Sequence, residues 1–273
     1  MLIARIAIVA VLTGALTSYT PAAQPKPETL AAFDVYVARA EAQIRGEESS
    51  PESFLAAPVS VSQRSELEMR LRRGEVIVDR RGTTATEIPG GLIHDWLGLT
   101  FIPNGTIGQV FAVLQDYDHL ARYFQPQMVS SRLISRNGDD FHISMRLREG
   151  SVVTVVLDTE YDVHYGRLDA VHQYSLARST RVAEIAKAGE RDEHPLAGGD
   201  DHGFLRRLNT YWRFVQAVDG VFVQCEAISL TRDVPTGLAW LIGSFIENIP
   251  RESLQFTLSA TRNAVLGKQN SGG

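Results

Sequence analysis

Apolar and polar positions change period along this chain, and each change marks an element. Leu30, Phe33, Val37, Ala40 and Ile44 share one face of a helix over residues 30–44, which Gly46 is expected to stop. Residues 47–58 are polar, with Ser and Pro, and read as a connector. Residues 65–73 form a charged helix ended by Gly74, and residues 76–78 a short strand. Residues 92–102 are mostly apolar and stop at Pro103-Asn104-Gly105, which predicts a strand. Thr106 with Gln109 three residues on is a capping-box pattern for a helix whose buried face is Ile107, Val110, Phe111 and Leu114. That helix or its successor runs to Phe124 and ends at Pro126.

Strand patterns follow. Residues 128–135 turn at Asn137-Gly138 into 140–148, and a second turn at Glu149-Gly150 leads into 152–158. Residues 161–165 and 174–185 predict two more strands, and 189–203 a polar loop. Residues 205–233 read as two long strands around Asp219-Gly220, a type I′ turn signal. That turn would set Phe214 against Cys225, Trp212 against Ala227 and Arg213 against Glu226. Residues 236–266 close the chain as a helical segment interrupted by Pro250, and residues 238–246 within it carry no charge. The order is strand, helix, five to seven antiparallel strands and a long helix, an α+β layered arrangement.

Composition changes this picture little. Of 273 residues 44% are hydrophobic, and the formal net charge is −5, so a nucleic-acid surface is not expected. The N-terminus changes it more. Arg5, a short apolar run over residues 6–16 and small residues up to Ala22 and Ala23 match a secretory signal peptide. The run is shorter than the ~20 residues of a membrane span. Export to a periplasm or the exterior is the expectation. Cys225 is the only cysteine, so no intrachain disulfide forms, and it reads as a small buried hydrophobe.

The element order resembles the helix-grip fold of the START and birch-pollen-allergen (SRPBCC) superfamily, with its polyketide cyclase/dehydrase-like and coenzyme-Q-binding-like branches. The residues that carry the resemblance are His94-Asp95-Trp96-Leu97-Gly98, Phe101-Ile102-Pro103, Asp116-Tyr117-Asp118, Tyr123-Phe124-Gln125-Pro126, Tyr211-Trp212-Arg213 and the run 225–232. The resemblance covers residues 90–267. Residues 1–23 are then the signal peptide, 24–89 a helical extension and linker, and 268–273 a flexible tail. It implies a curved antiparallel sheet wrapped around a long C-terminal helix, with a hydrophobic tunnel between them. It also implies a lipid, isoprenoid or quinone as partner, and no shared catalytic set.

Candidate site residues follow from that expectation. Trp96, Phe111, Trp212, Phe214, Val223, Cys225, Trp240 and Phe245 are the expected ligand-binding set, each also a plain candidate for core packing. Arg213 and Glu226 read as a cross-strand ion pair on a solvent face, worth under ~1 kcal/mol. Asp116, Asp118 and His119, and the acidic and histidine residues of 192–202, match no metal-site spacing, so no metal or other cofactor is assigned. His94 and Asp95 fall on opposite faces of a strand and form no dyad. No nucleophile, P-loop or dinucleotide motif is present, and no catalytic residue is named. The expected function is an exported carrier of a hydrophobic small molecule, with transient membrane contact. A cyclase- or hydratase-type enzyme and a membrane- or partner-binding module through residues 238–246 are the alternatives.

Overall fold

The computed structural model describes residues 25–49, 55, 61–82, 84–149, 154–197, 200–232 and 239–271, with the backbone alone at 61–62, 239–247 and 268–271. Helices α1 (Pro27–Glu48) and α2 (Val61–Arg72) precede strands β1 (Ile77–Arg80), β2 (Thr86–Ile88) and β3 (Gly91–Pro103). Helix α3 (Ile107–Leu114) and a 3₁₀ turn at Leu120–Arg122 lead into β4 (Met128–Asn137), β5 (Asp140–Glu149), β6 (Val155–Arg167) and β7 (His172–Ala186). Then come β8 (His194–Pro195), β9 (Arg207–Ala217), β10 (Gly220–Arg232) and α4 (Ala239–Ser271). The strands form one antiparallel sheet in the order β1-β3-β10-β9-β7-β6-β5-β4, with β2 added on β3 and β8 on β7. This is the helix-grip arrangement, an α+β fold, with a C-terminal helix across one face of a long sheet.

Local chemistry explains the joints. Thr106 accepts from the Gln109 backbone N–H and the Gln109 side chain accepts from the Thr106 N–H, so the capping box at α3 is complete. Gly138, at φ 60°, opens the β4–β5 turn. The β9–β10 turn departs from expectation. Its two loop residues are Val218 and Asp219, because Ala217 pairs with Gly220. Neither has a positive φ, so it is not the type I′ turn that Asp-Gly suggests. Gly220 is instead required by close approach: a Cβ there would run into the Ile102 carbonyl. The register moves by two residues, so Phe214 faces Val223, Trp212 faces Cys225 and Arg213 faces Gln224. A shift of two preserves the faces, and Trp212, Phe214, Val223 and Cys225 still point one way.

Other boundaries also move. Residues 155–167 form one strand rather than two, because Val155, Leu157, Tyr161, Val163 and Tyr165 keep one buried face through the polar break. A register shift at Glu160/Tyr161 absorbs the irregularity. Helix α4 runs through Pro250 without restarting. The polar loop after β7 contains the short β8, paired to Ile185 and Ala186. Residues 77–80 and 86–88 of the expected N-terminal extension are strands of the sheet.

Helices cover both faces of β3, β10 and β9. On the face of Trp96 and Ile102, α4 packs Leu254, Leu258 and Val265 against Phe214, Val221 and Val223. Gly98 lets it come close, since a Cβ there would overlap Leu258 and meet Leu254 Cγ at 3.1 Å. On the opposite face α1 packs Phe33, Val37 and Ile44 on Ile93, Tyr211, Ile228 and Leu230. Leu71 of α2 sits on Leu97, Leu99, Phe101 and Phe222.

This second cover overturns the solvent-face reading of Arg213 and Glu226, which are only 1% and 4% exposed. Arg213 Nη2 donates to Glu47 at 2.8 Å and its Nε lies 3.6 Å from Glu48. Glu226 accepts from Arg81 at 3.2 Å. These partners hold the last turn of α1, which passes Gly46 and ends at Glu48 instead of stopping at the glycine. Removing one partner of a buried charge cluster leaves the others uncompensated and costs about 3–5 kcal/mol. Arg213→Ala is therefore expected to lower unfolding free energy by about that amount in urea titrations. A loss below about 1 kcal/mol would make the cluster no better than a surface salt bridge.

Candidate functional site: a cavity between sheet and C-terminal helix

The inward face of β5, β6, β7, β9 and β10 does not close completely on α4. A cavity of about 250 Å³ remains, just below the ~300–1,000 Å³ usual for small-molecule pockets. Ile143, Met145 and Leu147 enter it from β5, and Leu157, Tyr161, Val163 and Tyr165 from β6. Period-two alternation puts every second side chain of these strands inside. Trp212, Cys225, Ala227 and Ser229 come from β9 and β10, and Ile249, Pro250, Ser253, Leu254 and Thr257 from α4. Tyr117, Leu120 and Phe124, around the 3₁₀ turn, cover one side.

Two of the eight residues expected at a ligand site, Trp212 and Cys225, line this cavity. Trp96, Phe111, Phe214 and Val223 lie beside it in the packed core shared with α4. Phe111 links the two regions, with its ring 5.1 Å from Phe214 and 5.0 Å from Tyr165, both edge-on. Trp96 is held under Arg80, whose guanidinium stacks at 4.5 Å. The side chains of Trp240 and Phe245, and of the whole uncharged run 238–246, lie outside the described residues.

The polar groups in the cavity are few. Tyr117 and Tyr165 hydrogen-bond each other through their hydroxyls at 2.8 Å. Burial pushes the Tyr165 and Tyr161 hydroxyls up to about 12 and the Tyr117 hydroxyl further, so all three stay protonated. Burial also raises the Cys225 thiol well above its ordinary value, as expected for an inert, packed cysteine. Ser229 is 4% exposed and its hydroxyl has no partner among the described residues. Glu149 stands at the end of β5, where Ser253 of α4 donates to its Oε1 at 3.2 Å. Burial raises the Glu149 carboxyl to about 7, and the Ser253 bond offsets only part of this.

Residues outside the cavity take ordinary structural roles. His94 and Asp95 do face opposite ways. His94 Nε2 lies 3.1 Å from Thr231 Oγ1, and burial lowers its pKa to about 4, leaving a neutral ring. Asp95 accepts from Tyr36 under α1 at 2.9 Å. His119 pairs with Asp116 at 2.8 Å, while Asp118 accepts from the Leu133 N–H. In the loop after β7, Glu193 pairs with Arg146, Asp201 with Arg206 and His202 with Glu184. Among the described residues no group of three or more His, Cys, Asp or Glu side chains could hold a metal ion. No described helix is long and apolar enough to cross a membrane.

Sequence reasoning missed Glu149 and the Tyr117–Tyr165 pair. Inward alternation at Tyr161, Val163 and Tyr165 is visible once residues 155–167 are taken as one strand. Glu149 carries no such signal, because a charged residue before a glycine reads as an exposed turn.

No protein-family profile matches the chain, and no curated protein does. Solved structures are similar in outline. One is a STAR-related lipid transfer protein fragment from Xanthomonas axonopodis, 18% identical, covering 67% of this chain and 97% of that one at a TM-score of 0.45. Another is the Zhui aromatase/cyclase of a Streptomyces species, 14% identical, covering 66% and 99% at 0.42. Human STARD10 is 8% identical and covers 77% and 81% at 0.42. With TM-scores below 0.5, these likenesses stand as similarity alone, and the fold assignment rests on the strand order and α4.

The raised Glu149 carboxyl links stability to pH. Its folded pKa, about 7, exceeds its ordinary value of 4.5, so ionisation is disfavoured in the folded state. The stability it contributes is fully present below about pH 4.5 and is lost as pH rises through about 7. The size is about 3 kcal/mol, because the carboxyl moves from 4.5 to about 7 and each tenfold change in proton affinity is worth about 1.36 kcal/mol. Glu149→Gln is expected to gain that much relative to the native chain between about pH 5 and pH 8, read from denaturant unfolding at each pH. Parallel pH profiles for the two proteins would rule out a buried carboxyl at this position.

Proposed function

We propose that the protein binds a hydrophobic small molecule, of the lipid, isoprenoid or quinone class, in the cavity between the sheet and α4. The carrying observation is the cavity itself: an apolar space walled by five strands and a helix, with a handful of polar groups along it. An apolar lining of this composition favours hydrocarbon over water. Each buried methylene supplies ~0.8 kcal/mol, so affinity in a homologous series should rise about fourfold per carbon until the cavity is full. Ala227 sits on the wall, paired with Thr210 across β9 and β10. Ala227→Phe is expected to weaken binding of a neutral fluorescent probe such as Nile red at least tenfold, while a cooperative thermal transition is retained. Absence of probe binding to the native chain at micromolar concentration would end the carrier reading.

One observation favours a second reading, cyclase- or hydratase-type chemistry in the same space. A Glu149 carboxyl near 7 is suited to move a proton at neutral pH. Mass analysis of compounds retained from a lipid extract separates the two: a carrier returns its ligand unchanged.

We also infer that the chain is exported. The support is Arg5, the short apolar run over residues 6–16 and the small residues before Gln24. N-terminal sequencing of the mature protein is expected to start near Ala23 or Gln24. An intact Met1 on the folded protein in a cytosolic fraction would rule export out.

A further inference from the structure

The cavity is not uniformly apolar, and Glu149 on its wall is unusual. Among the described lining residues Glu149 is the only carboxyl, and none is Lys, Arg or His. A carboxylate drawn out of water is ordinarily paired with a cation or with several N–H donors, and Glu149 is half-buried. Glu149 has one neutral partner, Ser253 Oγ, on one of its two oxygens, and no ion pair among the described residues.

Of the other lining hydroxyls, Ser229 Oγ has no partner among the described residues, and three are committed. Tyr117 and Tyr165 bond each other, and Thr257 Oγ1 donates to the Ser253 carbonyl within α4. Among the described lining residues the cavity therefore offers an entering molecule a strong acceptor and no cation. We propose that it selects a hydrophobic ligand whose polar end is a hydrogen-bond donor, a hydroxyl or an amine received by Glu149, and rejects the same chain ending in a carboxylate. The inference rests on the binding reading above and names the chemical class of ligand within it.

The discrimination has a physical basis in the setting. A donor head group would supply the partner that Glu149 lacks, inside a medium where an unmet carboxylate is costly. A ligand carboxylate would bring a second negative charge to the same desolvated corner and find no cation there. The preference should strengthen with pH, because Glu149 becomes a pure acceptor only when ionised.

The groups around it do not titrate over the same range. Tyr161 on β6, Tyr117, Tyr165 and Cys225 are all held neutral by burial. Ser253 and Thr257 are the neutral neighbours on α4, whose Arg251 and Glu252 are exposed, as is Arg148 beside Glu149 on β5.

The test uses the full chain and three probes of one length, dodecanol below its solubility limit and dodecylamine and dodecanoate below their micellar concentrations, displacing Nile red. The native protein is expected to bind the alcohol and the amine about tenfold or more tighter than the carboxylate near pH 8, with a smaller gap near pH 6. Glu149→Gln, with its thermal transition intact, is expected to shrink that gap to about threefold or less and to remove its pH dependence.

Equal binding of dodecanoate near pH 8, or an unchanged gap in Glu149→Gln, would overturn the donor selection and leave the carrier reading standing. Preference for the amine alone, abolished by roughly 0.5 M salt, would also overturn it, as long-range attraction to an acidic protein. If neither Nile red nor any of the three probes binds, the carrier reading itself falls, a result distinct from loss of selectivity.

Discussion

Strands β3, β10 and β9 are covered on both faces, and the rest of the structure is arranged around that constraint. A sheet with one wet face can alternate apolar and polar residues freely, but this one cannot. Every second residue of β10 meets α4 or the cavity, and every other one meets α1 or α2. Polar side chains on the α1 side, Arg213, Gln224 and Glu226, are consequently buried, and Arg213 and Glu226 are held by charges supplied from outside the sheet. Helix α1 is thus more than an appendage, since Glu47 and Glu48 near its end are the partners of Arg213.

The two covers do different work. On the α1 side, apolar contacts from Phe33, Val37 and Ile44 sit beside a charge cluster. On the α4 side, the helix comes closest where Gly98 admits Leu258 and Leu254, and Ala260 and Phe256 reach the β5–β6 side. Beside β5, β6 and β7 helix and sheet do not close on each other and the cavity remains. Close packing at β3 and a cavity beside β6 lie under the same helix.

That gap gives the polar groups inside it their character. Tyr117, Tyr161 and Tyr165 are kept protonated by the same desolvation that raises Glu149 toward neutrality. In a solid core a carboxyl at Glu149 would be a defect. On a cavity wall, with Ser253 as its one hydrogen-bond partner among the described residues, it is an acceptor waiting for a donor, and this joins the electrostatics of the site to its proposed occupant.

Much of the architecture was legible in the amino-acid order. The capping box at Thr106–Gln109, the glycine ends at Gly74 and Gly138, the period-two runs and the final helical segment are local signals, set by neighbours a few residues apart. So is the division of Trp212, Phe214, Val223 and Cys225 onto one sheet face, which survived a two-residue error in the hairpin register because the strand period is two. What lay beyond the sequence depended on contacts between distant segments. The solvent-face reading of Arg213 and Glu226 failed because nothing near them in sequence announces α1 above them. The division of the expected site into two cavity residues, Trp212 and Cys225, and four packed ones came from the line along which α4 leaves the sheet. Glu149 became a cavity residue for the same reason. Periodicity tells which way a side chain points, and only the folded chain decides whether it meets a helix, a void or water.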